Sequence, residues 1–107
     1  MVRFSLAILE GGLLKPKTVA MHRTTQHLES GEATGSGLGW HVRSVSIGED
    51  STPSRLIGHP GSSVGGTTSF MTFPEKRMIV AIMSNVSFAE GVSLFAVRLA
   101  NLFGQAP

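Results

Sequence analysis

The stretch that decides the fold is Arg55–Asn85, R-L-I-G-H-P-G-S-S-V-G-G-T-T-S-F-M-T-F-P-E-K-R-M-I-V-A-I-M-S-N. Three strand-like runs lie in or against it: Ser54–His59, Thr67–Phe73 and Met78–Ser84. Between the first two, Pro60–Gly66 is rich in glycine and serine and reads as a flexible, hydroxyl-bearing loop beside His59. Pro74-Glu75-Lys76-Arg77 reads as a tight polar turn between the second and third. Met78–Met83 is continuously apolar, the pattern of a strand covered on both faces, whereas Thr67–Phe73 alternates and should keep one less apolar face. The simplest arrangement is an antiparallel meander.

Upstream, Val2–Glu10 is apolar with Phe4 and Ile8 one turn apart, and Gly11-Gly12 supplies a helix stop. Met1–Ile8 has a faint leader-like look, with Arg3 ahead of an apolar run. That run is short, Glu10 interrupts it, and no clean cleavage site follows, so it is read as a helix. Pro16 suits the first turn of a second helix running to about Arg23. Gln26–Ser36 is polar and reads as a loop. Gly37–Val42 alternates as a half-buried strand, with Leu38, Trp40 and Val42 on one face. Val45 and Ile47 fall out of phase with them, which predicts a bulge near Arg43-Ser44. Gly48–Pro53 reads as a turn. Downstream, Ser87 and Glu90 fit a capping box, and Phe88, Val92, Phe95, Ala96, Leu99, Leu102 and Phe103 recur at helical spacing up to Gly104. The expected fold is α+β: a three- or four-stranded antiparallel sheet, two helices ahead of it and a long C-terminal helix packed on one face.

Composition narrows the function classes. With 107 residues, 41% hydrophobic and 15% charged, the chain is one small ordered domain at most. A net charge of only +2, with Lys and Arg scattered, argues against nucleic acid as a partner. No apolar run is long enough to cross a bilayer, so no membrane partner is expected. The absence of cysteine removes disulfides and thiolate chemistry and leaves the compartment undetermined. His22, His27 and His41 lack metal-ligand spacing, so neither a metal nor a cofactor is expected. Gly61–Gly66 lacks the Gly-Lys-Ser/Thr ending of a phosphate loop.

Taken in order, Gly37-Leu38-Gly39-Trp40, Gly58-His59-Pro60-Gly61-Ser62, an alternating strand, Phe73-Pro74-Glu75, an apolar strand, Asn85 and a closing helix resemble a known arrangement. It is similar to the carboxyl-terminal third of the serine beta-lactamase and penicillin-binding-protein superfamily. Within that group it most resembles the class C beta-lactamase, D-alanyl-D-alanine carboxypeptidase and esterase branch, including the mitochondrial serine beta-lactamase-like protein. The paired helices with Gly11-Gly12-Leu13-Leu14-Lys15-Pro16 extend the resemblance over nearly all of residues 1–107, as a single C-terminal segment of such a domain.

The resemblance implies site residues. His59-Pro60-Gly61 stands where the family carries Lys or His, Thr or Ser, then Gly, at the end of a strand edging the active site. His59 would orient a substrate carboxylate or the nucleophile network, Gly61 would admit close backbone approach, and the Ser62 N–H would be an oxyanion-hole donor. Pro60 replaces the family's hydroxyl residue and is tolerable only on an edge strand. No serine here has Lys three residues later, there is no Tyr, and Ser84 and Asn85 are adjacent, so Ser-x-x-Lys and Tyr-x-Asn are both absent. The implied function is therefore the C-terminal part of a serine hydrolase acting through an acyl-enzyme. A small-molecule or peptide substrate would bind only with an amino-terminal part that carries the nucleophile. The alternative is a non-catalytic structural or interaction module of the same fold. In the family, further strands flank this sheet; without them Met78–Ser84 would be an open apolar edge, and the isolated chain is expected to self-associate through it as a dimer or aggregate, or to be only marginally stable.

Overall fold

A computed structural model describes residues 1–49 and 53–104. Two helices come first, α1 (Val2–Leu9) and α2 (Pro16–Arg23). Four strands follow, β1 (His41–Ser46), β2 (Pro53–Ser63), β3 (Gly66–Phe73) and β4 (Met78–Ser84), and then α3 (Val92–Gly104). The strands form one antiparallel sheet in sequential order, β1-β2-β3-β4. The α+β arrangement is the one the sequence predicts.

Local chemistry explains the boundaries. At the end of α1 the Gly12 N–H donates to Ala7 O (2.7 Å) and the Gly11 N–H to Ile8 O (3.3 Å), while Gly11 takes φ +76. This is a Schellman ending, which needs a residue tolerant of left-handed backbone. Pro16 opens α2 with its missing N–H where no helical bond is due. β3 and β4 are joined by a 3-10 turn at Pro74–Lys76, after which Arg77 is left-handed (φ +49).

Four details depart from the sequence reading. First, Pro60–Gly66 is not a loop: β2 runs through it to Ser63, and Ser63 pairs with Gly66 across the two-residue turn Val64-Gly65. Hydroxyl residues on both strands are compatible with a half-exposed ladder, so composition alone misplaces the turn. Second, β1 begins at His41 and keeps an unbroken register from His41↔Gly58 to Ser46↔Pro53, without a bulge. The apparent change of phase arises because Leu38 and Trp40 lie in a bend ahead of the strand; Trp40 instead sits against Phe70 with ring centroids 5.9 Å apart. Third, β3 is the strand buried along most of its length, while β4 is a half-buried edge. Fourth, Ser87 caps no helix. Its Oγ accepts the Gly65 N–H at 2.8 Å, and α3 starts only at Val92. The expected turn Gly48–Pro53 falls mainly on residues 50–52, outside the described residues.

The core lies between the sheet and α3. Ile47, Phe73, Ala96 and Ala100 are fully buried, with Leu56 and Met71 beside them and Val45, Met78, Val80, Ile82 and Val97 packed around. The helix thus turns its small residues inward. Phe95, Leu102 and Phe103, assigned to the packed stripe by sequence, are 55%, 67% and 69% exposed. Small side chains let the helix axis approach the bulky Phe73 and Ile47, which supply the volume from the sheet side. On the opposite face residues of α1 and α2 stand over Ile57 and Thr72, leaving a cavity of about 160 Å³ bordered by Phe4, Ile8, Val19 and Trp40. Burial, and then the nearby Arg55 charge, lowers the pKa of Arg23 at the wall of this cavity, against the opposing pull of Glu75.

Candidate functional site

Gly39 adopts φ +78 just before β1, inside a bend held by Gly37 N–H to Trp40 O (2.7 Å) and Leu38 N–H to His22 O (3.1 Å). The chain therefore reaches the sheet only at His41, opposite Gly58. Among the described residues, β2 from His59 to Ser63 pairs with β3 alone, its other side unpaired. That accommodates Pro60, which has no N–H for a ladder, because beyond Gly58 β2 is an edge.

His59 is exposed in mid-strand rather than beside a loop. Its ring faces that of His41, with centroids 4.9 Å apart and planes tilted by 34°. His59 Nδ1 lies 2.6 Å from the carbonyl oxygen of Pro60. A carbonyl only accepts, so this nitrogen carries the proton, which leaves Nε2 of the neutral ring with a free lone pair. A groove of about 270 Å³ runs between this end of the sheet and α3, with His59, His41, Arg43, Ser93 and Leu94 on its walls. Among the described residues, imidazoles and a guanidinium line it without a carboxylate, a polarity suited to an acceptor-rich or anionic ligand.

Gly61 and Ser62 open into a second, adjoining groove of about 420 Å³ at the hairpin end, walled on the far side by Phe88, Ala89 and Val92. Pro60, Ser93 and Leu94 border both hollows. A Cβ at position 61 would sit 2.6 Å from Thr68 Oγ1, so glycine leaves that hydroxyl its space. The fold thus brings His59, Gly61 and Ser62 onto one open strand edge, but distributes them over two neighbouring grooves with Pro60 between.

Arg43 and His41 are the residues the sequence reading missed. Starting β1 at His41 would have put 41, 43 and 45 on one face, and the out-of-phase Val45 was the available signal. Among the described residues no three His, Asp or Glu side chains stand together as a metal site, and no helix is long and apolar enough to cross a membrane.

A family model described as Beta-lactamase matches residues 1–102. Comparison with curated proteins and with solved structures finds no match.

Proposed function

Since the chain belongs to the beta-lactamase family, we propose that it forms the carboxyl-terminal wall of a serine hydrolase site that cleaves amide or ester bonds through an acyl-enzyme. The observation that carries this reading is the open β2 edge with His59 exposed upon it and Gly61 and Ser62 immediately beyond. In the proposed reaction a serine from an amino-terminal part outside this sequence attacks the carbonyl carbon. Its Oγ–C bond forms as the bond to the leaving group breaks, and the serine proton ends on the departing amine or alkoxide. Water then releases the acid and restores the serine. The role assigned to His59 is to hold a substrate carboxylate or the proton network through Nε2. The role assigned to the Ser62 amide is to stabilise the developing oxyanion. The class C, carboxypeptidase or esterase affinity belongs to the same proposal, supported by His rather than Lys at position 59.

A fluorescent penicillin and a fluorophosphonate probe test it. The chain alone should not be labelled, since no serine has a Lys partner three residues on. Labelling of a co-expressed amino-terminal part bearing Ser-x-x-Lys, dependent on this chain, is the expected result. Tight association without labelling would instead favour a non-catalytic module.

A further inference from the structure

We propose that the cavity between the helix pair α1–α2 and the sheet is a binding site for a small monocarboxylic acid with an apolar body, benzoate or hexanoate in size. It shares no lining residue with the two grooves beside Pro60, and α3 lies on the other face of the sheet. Its walls are all this chain's own: α1, the connection at Leu14, α2, the bend at Trp40, and β2 and β3.

Two buried hydroxyls border the cavity without a partner. Ser5, on α1, is 4% exposed, and Thr72, on β3, is 5% exposed. Among the described residues no hydrogen bond involves either hydroxyl. Buried polar groups are ordinarily satisfied, so a pair of orphans on facing walls points to something that binds between them. Arg23, in the last turn of α2, is a third polar group at the wall. It is half-buried and makes no hydrogen bond or ion pair among the described residues. Glu75, the carboxylate that draws on it, is already held by Arg55 through both oxygens. His22 is tied through Nδ1 to Leu38 O at 3.2 Å.

Two O–H groups and a guanidinium therefore border the hollow, and no carboxylate does among the described residues. All three can donate, so the matching head group is an acceptor, and an anionic one gains most from the guanidinium. The remaining lining fixes the body of the ligand. Phe4, Ile8, Val19, Trp40 and Ile57 are apolar, and the volume is about 160 Å³. A cavity of about 150 Å³ lined by such side chains takes up benzene. Water is the poorer occupant: at about 30 Å³ per molecule, about five would be needed, each seeking two to four polar partners that these walls do not offer.

Trp40 is the only tryptophan and borders the cavity, so its emission reports occupancy. Titrating the 107-residue chain with hexanoate should give a saturable change with a Kd of about 1 mM or tighter. Hexanol and hexylamine, with the same body, should bind about tenfold or more weakly. Arg23→Gln should weaken hexanoate about tenfold or more and leave hexanol unchanged, which a merely structural role of Arg23 would not do. Thr72→Val keeps the volume and removes a hydroxyl that has no partner in the free chain. It should weaken hexanoate several-fold while the melting temperature holds or rises. No saturable change, equal affinity for the three probes, hexanoate binding indifferent to Arg23→Gln, or a Thr72→Val chain that melts lower would each overturn the proposal.

Discussion

A Cβ built on Gly58 would fall onto the carbonyl oxygen of Phe70, with Met71 Cα 3.0 Å away. β2 and β3 therefore pass each other at an approach that only glycine permits, one residue before His59. Gly58→Ala should destabilise the chain by about 3 kcal/mol, since backbone on both strands has to shift. Urea unfolding followed by tryptophan fluorescence at Trp40 measures it. An unchanged midpoint would mean the strands are not so close.

The helix above the sheet yields a paired prediction. Ala100 is fully buried against the core, so Ala100→Leu should cost about 1–3 kcal/mol through overpacking. Leu102, two residues on and 67% exposed, should accept Gln with a change within about 0.5 kcal/mol. Thermal melts of both variants decide which face of α3 is turned inward. If the large stripe were the packed one, the two results would be reversed.

The same contrast marks the limit of what the chain declares in advance. Helix and strand existence was legible because periodicity reports local geometry: Gly11-Gly12, Pro16 and Met78–Ser84 each mean one thing. Which stripe of α3 faces the sheet was not, because Ala96, Ala100, Phe95 and Leu99 all count as apolar in a helical pattern. The choice rests on the volume supplied by Phe73 and Ile47 from distant strands. The turn at Val64-Gly65 was masked by five flanking small residues of similar propensity. At the site, His59, Gly61 and Ser62 could be named from the resemblance alone. Their partition between two grooves, and the presence of His41 and Arg43, depend on where β1 begins, which Gly39 decides through its positive φ.

Arg55 and Glu75 give a pH-dependent prediction. Glu75 Oε1 accepts from Arg55 Nε at 2.7 Å, and Oε2 accepts the Arg55 backbone N–H at 3.1 Å. Burial pushes the carboxyl up, but these hydrogen bonds and the guanidinium charge together hold it below the ordinary glutamate range. A lowered folded pKa stabilises the ionised state. The contribution is present above the unfolded value of about 4.3 and disappears as pH falls through the folded value. Both side chains are largely solvated, so the effect should not exceed about 1 kcal/mol. Denaturation midpoints should fall between about pH 5 and pH 3, and Glu75→Gln should flatten that slope.

His59 supplies a functional prediction that is separable from folding. Its side chain is exposed, with the ring against His41 and Nδ1 at the Pro60 carbonyl, so His59→Ala should melt within about 0.5 kcal/mol of the parent. In the co-expressed, probe-reactive assembly the same substitution should slow acylation about 10²-fold or more, the typical loss of a positioned proton-transfer group. Pro60→Thr, restoring a hydroxyl beside it, should leave acylation intact or raise it. A His59→Ala assembly that acylates at the parent rate would exclude this imidazole from the reaction.

Gly65 donates to Ser87 Oγ, and two residues further along β3 the Thr67 hydroxyl accepts the Ala89 N–H and donates to Val86 O, each at 2.8 Å. These rivets make the hairpin tip and the strap leading to α3 a single stiff plate, with Ser62 only three residues from its rim. Distance along the chain from the reacting atoms is therefore no protection. A substitution such as Ser87→Ala, in the strap and outside both grooves, frees the plate and lets the Ser62 amide drift, so if that amide has the proposed role, change in the strap should surface as slow turnover in a molecule that still folds.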